Sequence, residues 1–476
     1  MTHKHPYMIG NDWREGVHTL LVGNPFNREV FAEVSLANAA DIDGAVALAV
    51  QTFEKTRTLP TYLRSRICSQ IAQGIEDRSE EFAVTITQES GKPLIYSRAE
   101  VARSISTFRI AAEEASRIHG ELLQLDITEP AQGKTGLVRR FPIGPVSGIS
   151  PFNFPLNLVA HKVAPAMACG NPIVLKPSSS TPLTALLLGK VVSETDAVDG
   201  SFSVLPCKSS EAAALVEDDR LKMVTFTGSP PVGWDIKRRA GKKRVILELG
   251  GNAGVIVEPD ADIDFAAKKV CFGAFAFSGQ VCISVQRTYV HESCFQPFME
   301  KLKQEVSQLK PGDPLDSTVN FGPMIDTGNA ERVESWVQEA VDGGAQLITG
   351  GKRNGAFYEP TILTGVGSDK KVVCEEAFGP VLVVEPYSDF YQAVETINDS
   401  DFGLQAGVFT NQLDKAMRAF NRLEVGGVVI NDVPTFRVDN MPYGGVKDSG
   451  FGREGLKYSI EEMTEIKLLV MNNYLD

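Results

Sequence analysis

Between residues 38 and 120 apolar positions recur at three- and four-residue spacing, as in NAADIDGAVALAVQTF and EVARSISTFRIAAEEASRIHG, which predicts a helical layer. Asn38 and Asp41 stand as a capping pair at the start of the first helix. From residue 137 the pattern shortens to β-rich runs: LVRRFPIGPVSGI, NPIVLKP, SFSVLP, MVTFTGS, RVILELGG and AGVIVEP. Several are separated by helical stretches, and that alternation predicts a parallel α/β sheet covered on both faces. After ELGG it restarts with helix 262–277, strand QRTYVHE, helix 292–309, a Gly/Pro-rich connection over 311–323 and helix 329–342, so a second α/β domain is expected. The tail, IEEMTEIKLLVMNNYLD, ends in an apolar run that suits an edge strand for a partner subunit or an ordinary strand within the chain.

At 476 residues the chain is too long for one core and fits two or three domains, with a cleft between them as the place for a site. The formal net charge of −13, with no basic run, disfavours nucleic acid or an anionic membrane surface as partner. No segment approaches the roughly 18 apolar residues of a membrane span, and the start has no signal-peptide pattern, so a cytoplasmic protein is expected. The seven cysteines form no CxxC pair, there is no HExxH, and His3 and His5 lie in a start expected to be disordered; no metal is expected. No GxGxxG follows any predicted strand.

Three residues stand out. Cys282, in FAFSGQVCISVQR, follows a Gly279-Gln280 break; it reads either as a small buried hydrophobe or as a nucleophile. Glu248 interrupts an apolar strand before Gly250-Gly251, which places a carboxylate at a solvent edge or in a site, and the glycines admit a close neighbour. Asn153, between Pro151 and Pro155 in SPFNFPLNLVAHK, suits a helix cap or an oxyanion donor.

PFNFP, the KPS of IVLKPSS, FTGS, ELGG, FSGQVC, EEAFGP and MPYGGVKDSGFGREG occur in one order over nearly the whole chain, and together they resemble the aldehyde dehydrogenase superfamily. The resemblance implies an α/β fold with a Rossmann-like cofactor domain (1–120 and 142–250) and a catalytic domain (251–430). It also implies an oligomerisation arm (121–141 and 460–476) and a substrate-channel loop (431–459). Cys282 becomes the nucleophile, Asn153 the oxyanion donor and Glu248 the base that activates water against the thioester. The cofactor is NAD or NADP, held by Ile149, Ser150, Lys176, Ser179, the Gly228-Ser229 turn, Leu249, Glu376 and Phe378. Ser179 stands where NAD-preferring relatives often carry glutamate, so NADP is expected to be tolerated; otherwise Ser179 caps a helix starting near Thr181. A homodimer or homotetramer is implied.

If a helix starts near Pro155, Asn157 and His161 share one face. The resemblance places them in the aldehyde tunnel with Arg103, Arg437 and Tyr443, a set suited to a short polar or anionic aldehyde of lactaldehyde, phospho- or sulfo-aldehyde type. The succinic semialdehyde branch carries arginine six residues before the nucleophile and another after the oxyanion asparagine, where this chain has Ala276 and His161. Aromatic aldehydes, a CoA-acylating reaction and a non-enzymatic binding protein are the other readings.

Overall fold

The computed structural model describes residues 3–472, so residues 473–476 of the expected arm lie outside the described residues. The predicted helical layer forms as Ala39–Thr56, Thr61–Asp77, Ser79–Ser90 and Leu94–Ser116. The capping pair is present in both directions: the Asn38 side chain accepts from the Ala40 and Asp41 amides, and the Asp41 carboxylate accepts from the Asn38 amide at 3.0 Å.

Five parallel strands form the centre of the first sheet, in the order Arg244–Glu248, Met223–Thr227, Val146–Ile149, Ile173–Lys176, Phe202–Val204. Antiparallel pieces close both edges, Gly450–Phe451 on one side and Tyr7–Ile9 with Asp12–Arg14 on the other. Leu94–Ser116 and the buried helix Asn157–Cys169 cover one face, and Phe108, Val159, Val163 and Ile173 meet in the core between them. The N-terminal strands do not stand out in the hydrophobic pattern. His3–His5 is not disordered as expected: it pairs in parallel with Val30–Leu36, whose backbone supplies its hydrogen-bond partners.

The second sheet has seven strands, with Ala253–Val257, Val285–His291 and Val381–Tyr387 adjacent and parallel at its centre. Glu121–Gln124 and Lys134–Pro142 form the expected hairpin, and Thr464–Asn472 joins it antiparallel from Thr464↔Pro142 to Asn472↔Lys134. The apolar tail is thus a strand within the chain, and its outer edge lies at the margin of that three-stranded sheet. Among the described residues no helix is long and apolar enough to cross a membrane.

Candidate active site

Parallel strands leave their C-terminal ends on one side of a sheet, the usual place for ligands in open α/β folds. Ile149, Lys176, Thr227 and Glu248 are such strand ends in the first sheet. The loops that follow carry Pro151–Asn153, Gly228-Ser229 and Leu249-Gly250 into a cavity of about 680 Å³. From the other sheet come Cys282, Glu376 and Phe378.

The helix Ile263–Phe275 ends two residues short of the predicted boundary because the chain turns sharply there: Phe277, Ser278 and Gly279 have φ of 48°, 53° and 70°. Left-handed backbone is costly for non-glycine residues and persists only when its surroundings hold it. Here the Ser278 hydroxyl donates to the Gly322 carbonyl at 2.6 Å, and the Gln280 side chain accepts from the Ile325 amide at 2.8 Å. A Cβ on Gly279 would lie 2.1 Å from the Gly379 carbonyl oxygen, so only glycine closes the turn. It presents Cys282, whose Sγ lies 3.1 Å from the Tyr443 hydroxyl. Burial pushes the thiol up to about 11, although the Tyr443 hydrogen bond and the Arg437 charge pull the other way.

Asn153 is buried and does not cap the following helix; its amide donates to the Gln280 carbonyl at 2.9 Å. That helix begins at Asn157, two residues after Pro155, and the amides of Leu156 and Asn157 donate to Glu100 Oε1 at 2.9 and 3.1 Å. The adjoining glycines are also explained by contact. A Cβ on Gly250 would lie 2.5 Å from the Glu376 carboxylate, and one on Gly251 2.2 Å from the Cys282 carbonyl. Glu376 accepts the Gly251 amide at 2.9 Å, and burial raises its carboxyl to about 7.

Glu248 is 3 % exposed, and neither carboxylate oxygen has a hydrogen-bond partner among the described residues. Burial and then the neighbouring Glu454 charge raise its pKa well above the ordinary carboxylate range, against Arg437, Lys162 and Arg453. Beyond it lies an ion network. His161 Nε2 is 2.8 Å from Asp439, its Nδ1 is 3.1 Å from Glu454, and Arg437 reaches Glu454 at 3.0 Å with its guanidinium 3.5 Å above the Tyr443 ring. Lys162 bonds Glu454 at 3.2 Å and Thr227 at 2.6 Å, and Arg103 bonds Asp439 at 2.8 Å. Burial alone would raise Asp439 and Glu454. His161 and Arg103 outweigh it at Asp439, as Lys162, His161 and Arg437 do at Glu454, and both carboxyls stay ionised.

A family model described as the aldehyde dehydrogenase family matches residues 13–469. The chain belongs to that family. It is 44% identical over 465 residues to 3-sulfolactaldehyde dehydrogenase of Priestia megaterium, covering 98% of this chain and 97% of the relative. Aldehyde dehydrogenase 21 of Physcomitrella patens, solved with the reaction product succinate, superposes with a TM-score of 0.98 at 46% identity, covering 100% of this chain and 99% of that one. Glyceraldehyde-3-phosphate dehydrogenase of Methanocaldococcus jannaschii, complexed with NADP, gives 0.92 at 38% identity, covering 96% and 99%.

Within this aldehyde dehydrogenase, Asn153, Gly228, Ser229, Leu249, Cys282, Glu376 and Phe378 share the cavity. Ile149, Ser150, Lys176 and Ser179 lie outside its lining, along the strand ends toward the first sheet's other edge. Ser179 caps nothing: the next helix starts at Leu183, and its first amides donate to Glu89. Lys176 is 8 % exposed and donates to the Pro177 carbonyl; burial lowers its pKa. The expected anion site at Gly228-Ser229 is thinner than an ordinary helix start, because Pro230 and Pro231 have no N–H to donate.

Arg103, Asn157, His161 and Arg437 meet, but in the ion network behind Tyr443 and not on the cavity wall. Asn157 faces the helix Leu94–Ser116, where Ser104 and Thr107 donate to its carbonyl at 3.2 Å; a buried amide must be satisfied, and that helix supplies the partners. Arg437 is no solvated surface arginine, its side chain being 6 % exposed. Lys162, Asp439 and Glu454 were not singled out by the sequence. The available signals were a lysine inside an apolar helix and two acids within the Arg437 loop and the GREG turn.

Proposed function

We propose that the chain oxidises a short aldehyde with an anionic end to the carboxylic acid, using NAD or NADP. The observation that carries the substrate class is the ion network: among the described residues Arg103, Arg437 and Lys162 pair with two carboxyls, Asp439 and Glu454, while Glu248 is held toward its neutral form. A sulfonate, phosphate or carboxylate completes such a cluster by reaching past Tyr443, behind which the network lies. The relatives point the same way, through 3-sulfolactaldehyde, glyceraldehyde 3-phosphate and succinate.

In this reading Cys282 is the nucleophile, and its thiol must lose a proton before it attacks the aldehyde carbon. Asn153 spends one amide hydrogen on the Gln280 carbonyl and has the other for the developing oxyanion. Glu248, with no partner to displace, accepts a proton from the water that hydrolyses the thioester. Gly228 and Ser229 would lie near the pyrophosphate of the cofactor, and Glu376 and Phe378 would hold its nicotinamide ribose; Ile149, Ser150 and Leu249 would line its path, and Lys176 and Ser179 would hold the adenosine ribose. When bound, that cofactor supplies the hydride acceptor. Residues 1–120 and 142–250 serve as the cofactor domain, 251–430 as the catalytic domain, 431–459 as the channel loop, and 121–141 with the tail from 460 as the arm of a cytoplasmic homodimer or homotetramer.

A second reading, succinic semialdehyde, is favoured by the succinate complex of the Physcomitrella patens relative. A rate panel of propanal, benzaldehyde, lactaldehyde, succinic semialdehyde and phosphorylated and sulfonated C3 aldehydes decides among them. One of the anionic aldehydes is expected to lead in kcat/KM, with Arg437→Leu removing at least about tenfold of that lead, the scale of a lost charge-assisted pair. A preference for propanal or benzaldehyde would overturn the anionic substrate. CoA in the product would overturn hydrolysis by Glu248.

A further inference from the structure

Lys92 belongs to none of the groups above, yet it is 0 % exposed, in the Gly91-Lys92-Pro93 link between the helices Ser79–Ser90 and Leu94–Ser116. Its ammonium pairs with Glu100 and lies 3.9 Å from the centroid of the Phe154 ring and 4.6 Å from that of Phe277. Phe154 is the neighbour of Asn153, and Phe277 opens the left-handed turn that presents Cys282. The other Glu100 oxygen accepts the Leu156 and Asn157 amides, which fixes the helix on the far side of Asn153. One buried pair therefore touches the amide segment twice and the thiol turn once.

A buried ion pair is weak support for stability, since apolar replacements of similar volume are often as stable or more so. Its placement calls for a different reason. Asn153 and Cys282 come from different sheets, and among the described residues the Asn153 side chain reaches the thiol turn through one hydrogen bond, to the Gln280 carbonyl. An ammonium between two ring faces sets a distance from both, because the attraction is to the face of each ring and falls away with separation.

We propose that Lys92 and Glu100 are positioning residues for the reaction: the Lys92 ammonium, held by Glu100 between Phe154 and Phe277, sets the spacing between the Asn153 amide and Cys282. The inference rests on reading Asn153 as oxyanion donor and Cys282 as nucleophile.

Removing Lys92 alone strands the Glu100 charge, so the variant to compare is Lys92→Met/Glu100→Gln, which is neutral and keeps an acceptor for the two helix amides. It is expected to lower kcat about 10- to 100-fold, the scale of an ångström of misplacement, with the aldehyde KM changed less than about threefold. Combined with Asn153→Ala, it should lower kcat little beyond Asn153→Ala alone, because an amide already absent cannot be misplaced. An unchanged kcat, or losses that multiply, would overturn the proposal. If that variant does not fold, Phe277→Leu removes one ring and leaves both charges. A kcat loss of about tenfold, again hidden by Asn153→Ala, supports the clamp, and an unaltered kcat sinks it. Should Asn153→Ala itself leave kcat unchanged, the failure lies with the oxyanion reading.

Discussion

Glu248 shows how environment sets chemistry at a single residue. A carboxylate with two unpartnered oxygens in a buried position holds its proton above the ordinary range, and a base that holds its proton cannot take one from water. The sign follows: kcat should climb as pH rises above the ordinary carboxylate range, because Glu248, as the proposed base, is increasingly free to accept. Glu248→Gln should remove the part of that climb that Glu248 supplies, leaving only the one set by the Cys282 thiol, and leave a burst of about one NAD(P)H per site with no turnover after it, seen by stopped-flow absorbance. A burst-free variant with an intact pH limb would assign the base elsewhere. Cys282, Glu248 and Asn153 stood out in the sequence through a Gly279-Gln280 break, an interrupted apolar strand and flanking prolines, but the roles expected of them came from the family resemblance and not from those signals. Asp439 and Arg103 were not readable as a pair, since 336 positions separate them and only the fold shows that their charges cancel.

At the scale of elements, periodicity identified the helical layer after Asn38, the central strands of the first sheet, and Ala253–Val257 and Val285–His291 of the second, because burial on a helix face or in a parallel sheet leaves a clear apolar trace. It failed at the N-terminus, where Asp12–Arg14 is wholly exposed and His18–Gly23 has a single buried position, so neither shows an alternating core face. It failed again at Phe277 and Ser278, whose residue types give no sign of positive φ. In the proposed reading, the loop after Ile173–Lys176 is where an element would set cofactor selectivity. Ser179 is exposed and the next helix is capped by Glu89, so a substitution there leaves the scaffold alone. Ser179→Glu should lower kcat/KM for NADP relative to NAD by about tenfold or more, through like-charge repulsion of the 2′-phosphate, with no change in melting temperature. Equal losses for both cofactors would place the 2′-phosphate elsewhere.

The whole molecule exposes a surface unusual for a solitary chain. Ile466, Leu468 and Val470 are 60, 48 and 50 % exposed on one face of the three-stranded sheet and Leu122 66 % on the other, and among the described residues the outer strand has an unpaired edge. Leu468→Glu should shift the solution mass by light scattering toward the monomer, and a parent that is already monomeric would remove the arm's role. The division of the site between two sheets has a consequence for synthesis. Asn153 and Glu248 leave the ribosome before Cys282 does, whereas Arg437, Asp439, Tyr443 and Glu454 all follow it. The nascent thiol therefore meets its finished neighbourhood only when the final segment has emerged, and until then the growing polypeptide carries the parts of a catalyst without its reactivity.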